Sequence, residues 1–150
     1  MPVPAGYLID TNVLLRMTRE TNPETRLIRR ALTELDRQRQ AFYFSLQNIA
    51  EFWNVCTRPS DRNGFGLSVP ETDRAIQSIE RTMTLLPDDA ATYGAWRQLV
   101  ITHNINGAQV HDARLAALMQ VQGVQRILTF NKADFERYPH VTAIHPAEIG

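Results

Sequence analysis

The chain has 150 residues, with 16 basic and 16 acidic side chains and a formal charge of zero. A chain of this length is one domain by default and buries roughly 68–70% of its unfolded surface, so its core needs no staples. The single Cys56 excludes an intrachain disulfide framework and fits a reducing compartment, and the neutral balance gives no global nucleic-acid footprint.

The opening Met1-Pro2-Val3-Pro4-Ala5-Gly6 has no basic leader, and no apolar stretch approaches the ~18 residues of a membrane span. A soluble, cytoplasmic protein with no membrane partner is expected. Tyr7–Asp10 reads as a first strand that stops at Asp10-Thr11-Asn12, before a second apolar run, Val13-Leu14-Leu15. Asn22-Pro23-Glu24 opens a helix with a cap residue, a first-position proline and an early acid. Leu27, Ile28, Ala31, Leu32 and Leu35 repeat along it at helical spacing, with Arg26, Arg30 and Arg37 turned away.

Ala41–Leu46 is a second strand, and Ile49, Phe52, Trp53 and Cys56 continue into a short helix on which Cys56 is a core residue. Ser60–Gly66 reads as a plain loop, and Phe65 within it as an exposed aromatic. Pro70-Glu71 leads into a helix carrying Ala75, Ile76, Ile79 and Met83, followed by a short strand at Thr84–Leu86. Asp88–Ile101 is a further helix with Tyr93, Trp96 and Val100 as its apolar stripe. Val110, Ala113, Ala117 and Met119 belong to the next one, which Gly123 is placed to terminate. Arg126–Phe130 and Val141–Ile144 complete the strands. Strands alternating with helices imply one α/β domain over residues 1–150, with a central parallel sheet of about five strands flanked by helices.

Charge is unevenly spread. All 16 basic residues except Lys132 are arginine, and Arg16, Arg19, Arg26, Arg29, Arg30, Arg37 and Arg39 crowd one segment. Guanidinium groups suit bidentate phosphate contacts; the alternative is a solvated helix face.

The acids carry the functional argument. Asp10 can cap the helix after it, Glu51 can be the third-position acid of a capping turn begun by Asn48, Asp112 can favour a helix dipole, and Asp134 can cap the Phe135-Glu136-Arg137 turn. Their joint placement says more. Asp10 and Glu51 follow strands, and in a parallel sheet such junctions share one edge, where open α/β folds place ligands. Carboxylates gathered there repel one another unless a cation neutralises them, and oxygen-only donors suit Mg²⁺ or Mn²⁺ rather than zinc. His103, His111, His140 and His145 lack zinc-site spacing.

Four segments, Leu8–Leu15, Asn48–Phe52, Val110–Ala117 and Leu128–Phe135, resemble in order and spacing the signature segments of PIN-domain ribonucleases, and most of all VapC-like toxins of bacterial toxin–antitoxin pairs. The resemblance spans nearly the whole chain and implies a single PIN-like domain. It implies that Asp10, Glu51 and Asp112 are the three principal metal-binding acids. The fourth position, often aspartate in the family, is Asn131 here; the amide keeps an oxygen ligand but loses a charge, and Asp134 either compensates or caps the turn. Thr11, Asn12 and Thr129 resemble the small polar residues that support the carboxylates. The implied activity is Mg²⁺- or Mn²⁺-dependent hydrolysis of single-stranded or loop RNA, leaving a 5′-phosphate and a 3′-hydroxyl. The implied partners are a small protein antitoxin and a second copy of the chain in a homodimer, with Trp53, Phe52 and Phe65 as candidate contacts and Phe52 favoured for the core.

Other phosphate chemistry fits poorly. A haloacid-dehalogenase-type phosphatase wants a second aspartate where Asn12 stands, and no Gly-x-Gly-x-x-Gly turn follows the first strand. The remaining alternative is a catalytically weak PIN-like module that binds RNA or protein without cutting, and Asn131 is the residue that favours it.

Overall fold

Polar residues at the ends of the apolar runs decide where each strand stops, and the sheet is correspondingly short-stranded. A computed structural model describes residues 3–19 and 22–150. Five strands, β1 (Gly6–Ile9), β2 (Ala41–Phe44), β3 (Thr84–Leu85), β4 (Arg126–Leu128) and β5 (Thr142–Ile144), form one sheet in the order β3-β2-β1-β4-β5, every pairing parallel. The linking helices are α1 (Thr11–Met17), α2 (Glu24–Arg37), α3 (Leu46–Thr57), α4 (Val69–Thr82), α5 (Ala90–Thr102) and α6 (Val110–Gln122). Among the described residues, no helix is long and apolar enough to cross a membrane.

The expected α/β architecture is present, with each strand ending or starting a residue or two short of its apolar run. β1 stops at Ile9 because the Asp10 side chain caps α1, its Oδ1 accepting from the Thr11 amide at 2.8 Å. β2 stops at Phe44 rather than Leu46. Ser45 caps α3 there: its Oγ accepts from the Asn48 amide and the Asn48 Oδ1 accepts from the Ser45 amide, both at 3.0 Å. Past β4, the Phe130 amide donates to Asn12 Oδ1 at 3.2 Å instead of to a strand.

β1 is buried along its whole length, as the central strand of a parallel sheet covered on both faces must be. One face packs Leu8 and Ile127 against α5 and α6 through Leu99, Ala113, Ala117 and Met119. The other packs Ile9 and Phe44 against α1 to α4 through Val13, Ile28, Leu35, Phe52 and Ile79. Cys56 lies fully buried in this second layer, and burial pushes its thiol up to about 11, in keeping with a core role.

α2 begins at Glu24, one residue after the expected first position, with Pro23 as the cap residue and Asn22 Oδ1 accepting from the Glu24 amide at 2.8 Å, and α6 ends at Gly123 in the left-handed region with φ 74°. Two expectations are corrected. Tyr93 is 65% exposed, because the buried stripe of α5 runs through Thr92 and Leu99, with Trp96 half-buried beside them. Ser60–Gly66 contains a 3₁₀ turn at Ser60–Arg62, and Phe65 is half-buried there, its ring 3.9 Å beneath the Arg19 guanidinium.

Gly6 pairs with Ala41 across β1 and β2, where a Cβ on Gly6 would overlap the Ala41 carbonyl. We expect Gly6→Ala to lower stability by about 1–3 kcal/mol through overpacking. Urea unfolding checks this, and a loss under about 0.5 kcal/mol would mean that β2 retreats freely.

Candidate functional site

The parallel register fixes the site. Ile9 pairs with Leu128 and the Asp10 amide donates to the Leu128 carbonyl at 3.0 Å, so Asp10 and Thr129 leave neighbouring strands side by side. Asp10 is only 9% exposed, and nearly every polar group around it serves its carboxylate. Oδ2 accepts from Thr129 Oγ1 at 2.7 Å and from Asn12 Nδ2 at 3.3 Å, while Oδ1 takes the Thr11 amide. The supports are themselves held: Asn12 Nδ2 also reaches Thr129 Oγ1, the Asn131 amide donates to that same hydroxyl at 3.0 Å, and Asn48 Nδ2 donates to Thr11 Oγ1 at 3.1 Å. Thr11, Asn12 and Thr129 are therefore direct supports of the Asp10 carboxylate.

The other acids arrive from elements on both faces. Glu51 projects from the second turn of α3, and the capping box it was assigned to is formed by Ser45 and Asn48 instead, which leaves its carboxylate unused by the helix start. Asp112 stands in the first turn of α6, where no side chain caps the helix. Asp134 lies inside a 3₁₀ turn, Lys132–Phe135, rather than capping the segment after it. Asn131 is exposed immediately before that turn, and no hydrogen bond among the described residues ties its amide to the acids.

Their charges act on one another. Burial raises the Asp10 carboxyl above the usual range, and the nearby Asp134 charge adds to this against the hydrogen bonds from Thr129, Thr11 and Asn12. Desolvation also raises Glu51, with Asp10 contributing and Gln47, His111 and Arg114 opposing. Asp112 is pushed up to about 6, first by burial and then by Asp134, Asp10 and Glu51, with Arg137 opposing. Asp10, Glu51, Asp112 and Asp134 thus form one electrostatic group; Asn131 adds no charge to it.

Sequence reasoning missed Gln47 and Asn48. Gln47 is buried and bridges two layers, its Nε2 donating to the His111 carbonyl at 2.9 Å, while Asn48 joins the α3 cap to Thr11. The Ser45-x-x-Asn48 spacing carried the second signal.

An oxygen-only set of mutually repelling carboxylates is the donor chemistry of a hard divalent cation. Among the described residues, no three His, Cys, Asp or Glu side chains close directly on a single point.

The chain matches the PIN domain family over residues 7–141 and belongs to it. This is a nuclease family whose members are typically metal-dependent. No curated protein matches the chain significantly. Among solved structures, VapBC2 from Rickettsia felis bound to a fragment of promoter DNA is similar with a TM-score of 0.69 at 14% identity, covering 93% of this chain and 97% of that one. DNA-bound VapBC from Salmonella typhimurium gives 0.68 at 14% identity, with 95% and 98% covered. The sarcin–ricin-loop-cleaving toxin VapC20 of Mycobacterium tuberculosis gives 0.55 at 18% identity, with 81% and 87% covered. At these identities the likeness is one of fold.

The acid cluster has a stability consequence. The Asp112 carboxyl binds its proton more tightly folded, at about 6, than at its ordinary 3.8, so the folded state holds the extra proton between those values. Without a cation, stability therefore falls as pH rises through that window and the full penalty stands above it. Allowing for solvent screening, we expect Asp112→Asn to stabilise the metal-free protein by about 1 kcal/mol at pH ~7.5 and by nothing near pH ~3.5. Urea unfolding in EDTA at the two pH values is the check; equal effects at both would dismiss the charge explanation.

Proposed function

We propose that the chain is a metal-dependent endoribonuclease that hydrolyses RNA phosphodiester bonds, and that it is the toxin of a toxin–antitoxin pair. What supports this reading is that the charges of Asp10, Glu51 and Asp112, carried by the sheet and by helices on both its faces, act on one another and with burial raise their proton affinity. In this reading these three acids hold Mg²⁺ or Mn²⁺, with Asn131 and Asp134 at the fourth side. When bound, the cation supplies Lewis acidity towards water and phosphate oxygen near neutral pH. The protein's own part is placement. Thr129, Asn12 and the Thr11 amide fix the rotation of the Asp10 carboxylate, so its geometry need not reorganise during reaction. Arg137, whose charge reaches Asp112, gives the rim positive charge for a phosphodiester; Arg114, whose charge reaches Glu51, is paired with Asp88 at 3.0 Å.

The non-cleaving alternative rested on the missing charge at Asn131. Asp134 supplies a fourth carboxylate that acts on both Asp10 and Asp112, which favours the enzyme. A small protein antitoxin, a homodimer and a cytoplasmic location follow from the toxin reading; the similarity to VapBC complexes supports the first of these.

With Mg²⁺ or Mn²⁺ added, purified protein should cleave total cellular RNA, and Asp112→Asn should reduce the rate by at least about 100-fold, the equivalent of several kcal/mol of lost charge stabilisation. Gel analysis of the products decides it, and equal cleavage by both proteins would reject this active site. Thr129→Val removes the 2.7 Å hydrogen bond to Asp10. Its activity should fall by about 10-fold while Thr129→Ser keeps most of it, since one charge-assisted hydrogen bond is worth roughly 1.5–3 kcal/mol. Equal rates for the valine and serine variants would show that the Asp10 rotamer needs no such support.

A further inference from the structure

Six of the seven arginines between positions 16 and 39 divide into two groups, with Arg39 outside both. Arg16 and Arg19 are engaged in the fold: Arg16 donates to Glu24 at 2.7 Å and to the Asn12 carbonyl at 3.0 Å and lies over the Phe130 ring, while Arg19 covers Phe65. Arg26, Arg29, Arg30 and Arg37 instead line one open cleft of about 410 Å³ on the solvent face of α2. Among the described residues Glu34 is the one acidic side chain lining it, paired with Arg37 at 2.7 Å, and Thr33 and Gly150 complete the lining. Among the described residues, Arg26, Arg29 and Arg30 make no ion pair.

Arg26 with Arg29 and Arg26 with Arg30 are like-charge neighbours three and four residues apart, which costs helix stability. An anion bound across them relieves that repulsion. From Arg26 to Arg37 the helix advances ~16 Å, enough to face several successive backbone phosphates. Forked guanidiniums match phosphate oxygens two at a time, and the segment holds no lysine. The first turn of α2 is also tied to the acidic edge, because Glu24 is bound by the same Arg16 that contacts Asn12 and Phe130.

We propose that this face of α2 binds the phosphate backbone of single-stranded RNA, holding the strand alongside the acidic site. The proposal rests on the reading of the chain as a ribonuclease. It is tested with a short fluorescein-labelled single-stranded RNA, by anisotropy titration in EDTA over a series of salt concentrations. Arg26→Gln/Arg29→Gln/Arg30→Gln should weaken binding at least ~10-fold and reduce the slope of log K against log[salt] by about 2, at roughly 0.7 for each phosphate that the protein no longer neutralises. The corresponding triple lysine variant should keep the slope. Unchanged affinity and slope in the glutamine variant overturn the proposal. So does an equal loss of affinity for a polyglutamate peptide, which would assign the face to an acidic protein. Thermal melting shows whether the glutamine variant is folded, and the lysine variant separates loss of charge from loss of fold. The two readings fail separately: cleavage by Asp112→Asn equal to wild type overturns the nuclease and leaves a salt-sensitive α2 contact standing. Wild-type cleavage with an unchanged glutamine variant overturns the α2 contact alone.

Discussion

The register of β1 on β4 is the constraint from which the site follows. By pairing Ile9 with Leu128, it sets Asp10 beside Thr129 although 119 residues separate them in sequence. A slip of one residue would turn Leu8 and Ile9 to opposite faces of the sheet and break both packed layers. The same apolar residues that secure the core therefore fix the position of the carboxylate. Everything polar at the site is hung from that pairing, down to the Asn131 amide on the Thr129 hydroxyl.

The second principle is unfavourable by itself. Acids that raise one another's proton affinity are a local loss of stability, tolerated because two complete hydrophobic layers surround them. The hydrogen bonds to Asp10 have a different purpose from relieving that repulsion. They keep the anion in one orientation.

Much of this was legible in the sequence, for reasons that can be named. The strands alternated with helices whose caps were spelled out, so the parallel sheet and the edge carrying Asp10 could be read directly. Gly123 and Asn22 did what their residue types require. The capping role read for Glu51 was wrong, because Ser45 rather than Asn48 begins α3, and only the competition between strand and cap reveals that. Tyr93 was misplaced because periodicity does not say which of two adjacent positions on α5 faces inward, and the smaller, polar Thr92 took the buried one. The reach of the Asp134 charge to Asp10 and Asp112 was not legible, since it depends on how a four-residue turn folds back toward α6. Gln47 escaped notice because its partner is a backbone carbonyl, which leaves no trace in side-chain spacing.

The site also straddles the architecture. Asp112 is carried by a helix of one hydrophobic layer, Glu51 by a helix of the other, and Asp10 by the sheet between them. In genetic terms, this makes the chain a broad target. A substitution that loosens either layer shifts one acid relative to the rest, so inactivating alleles would be scattered along the gene, and few would fall on the acids themselves.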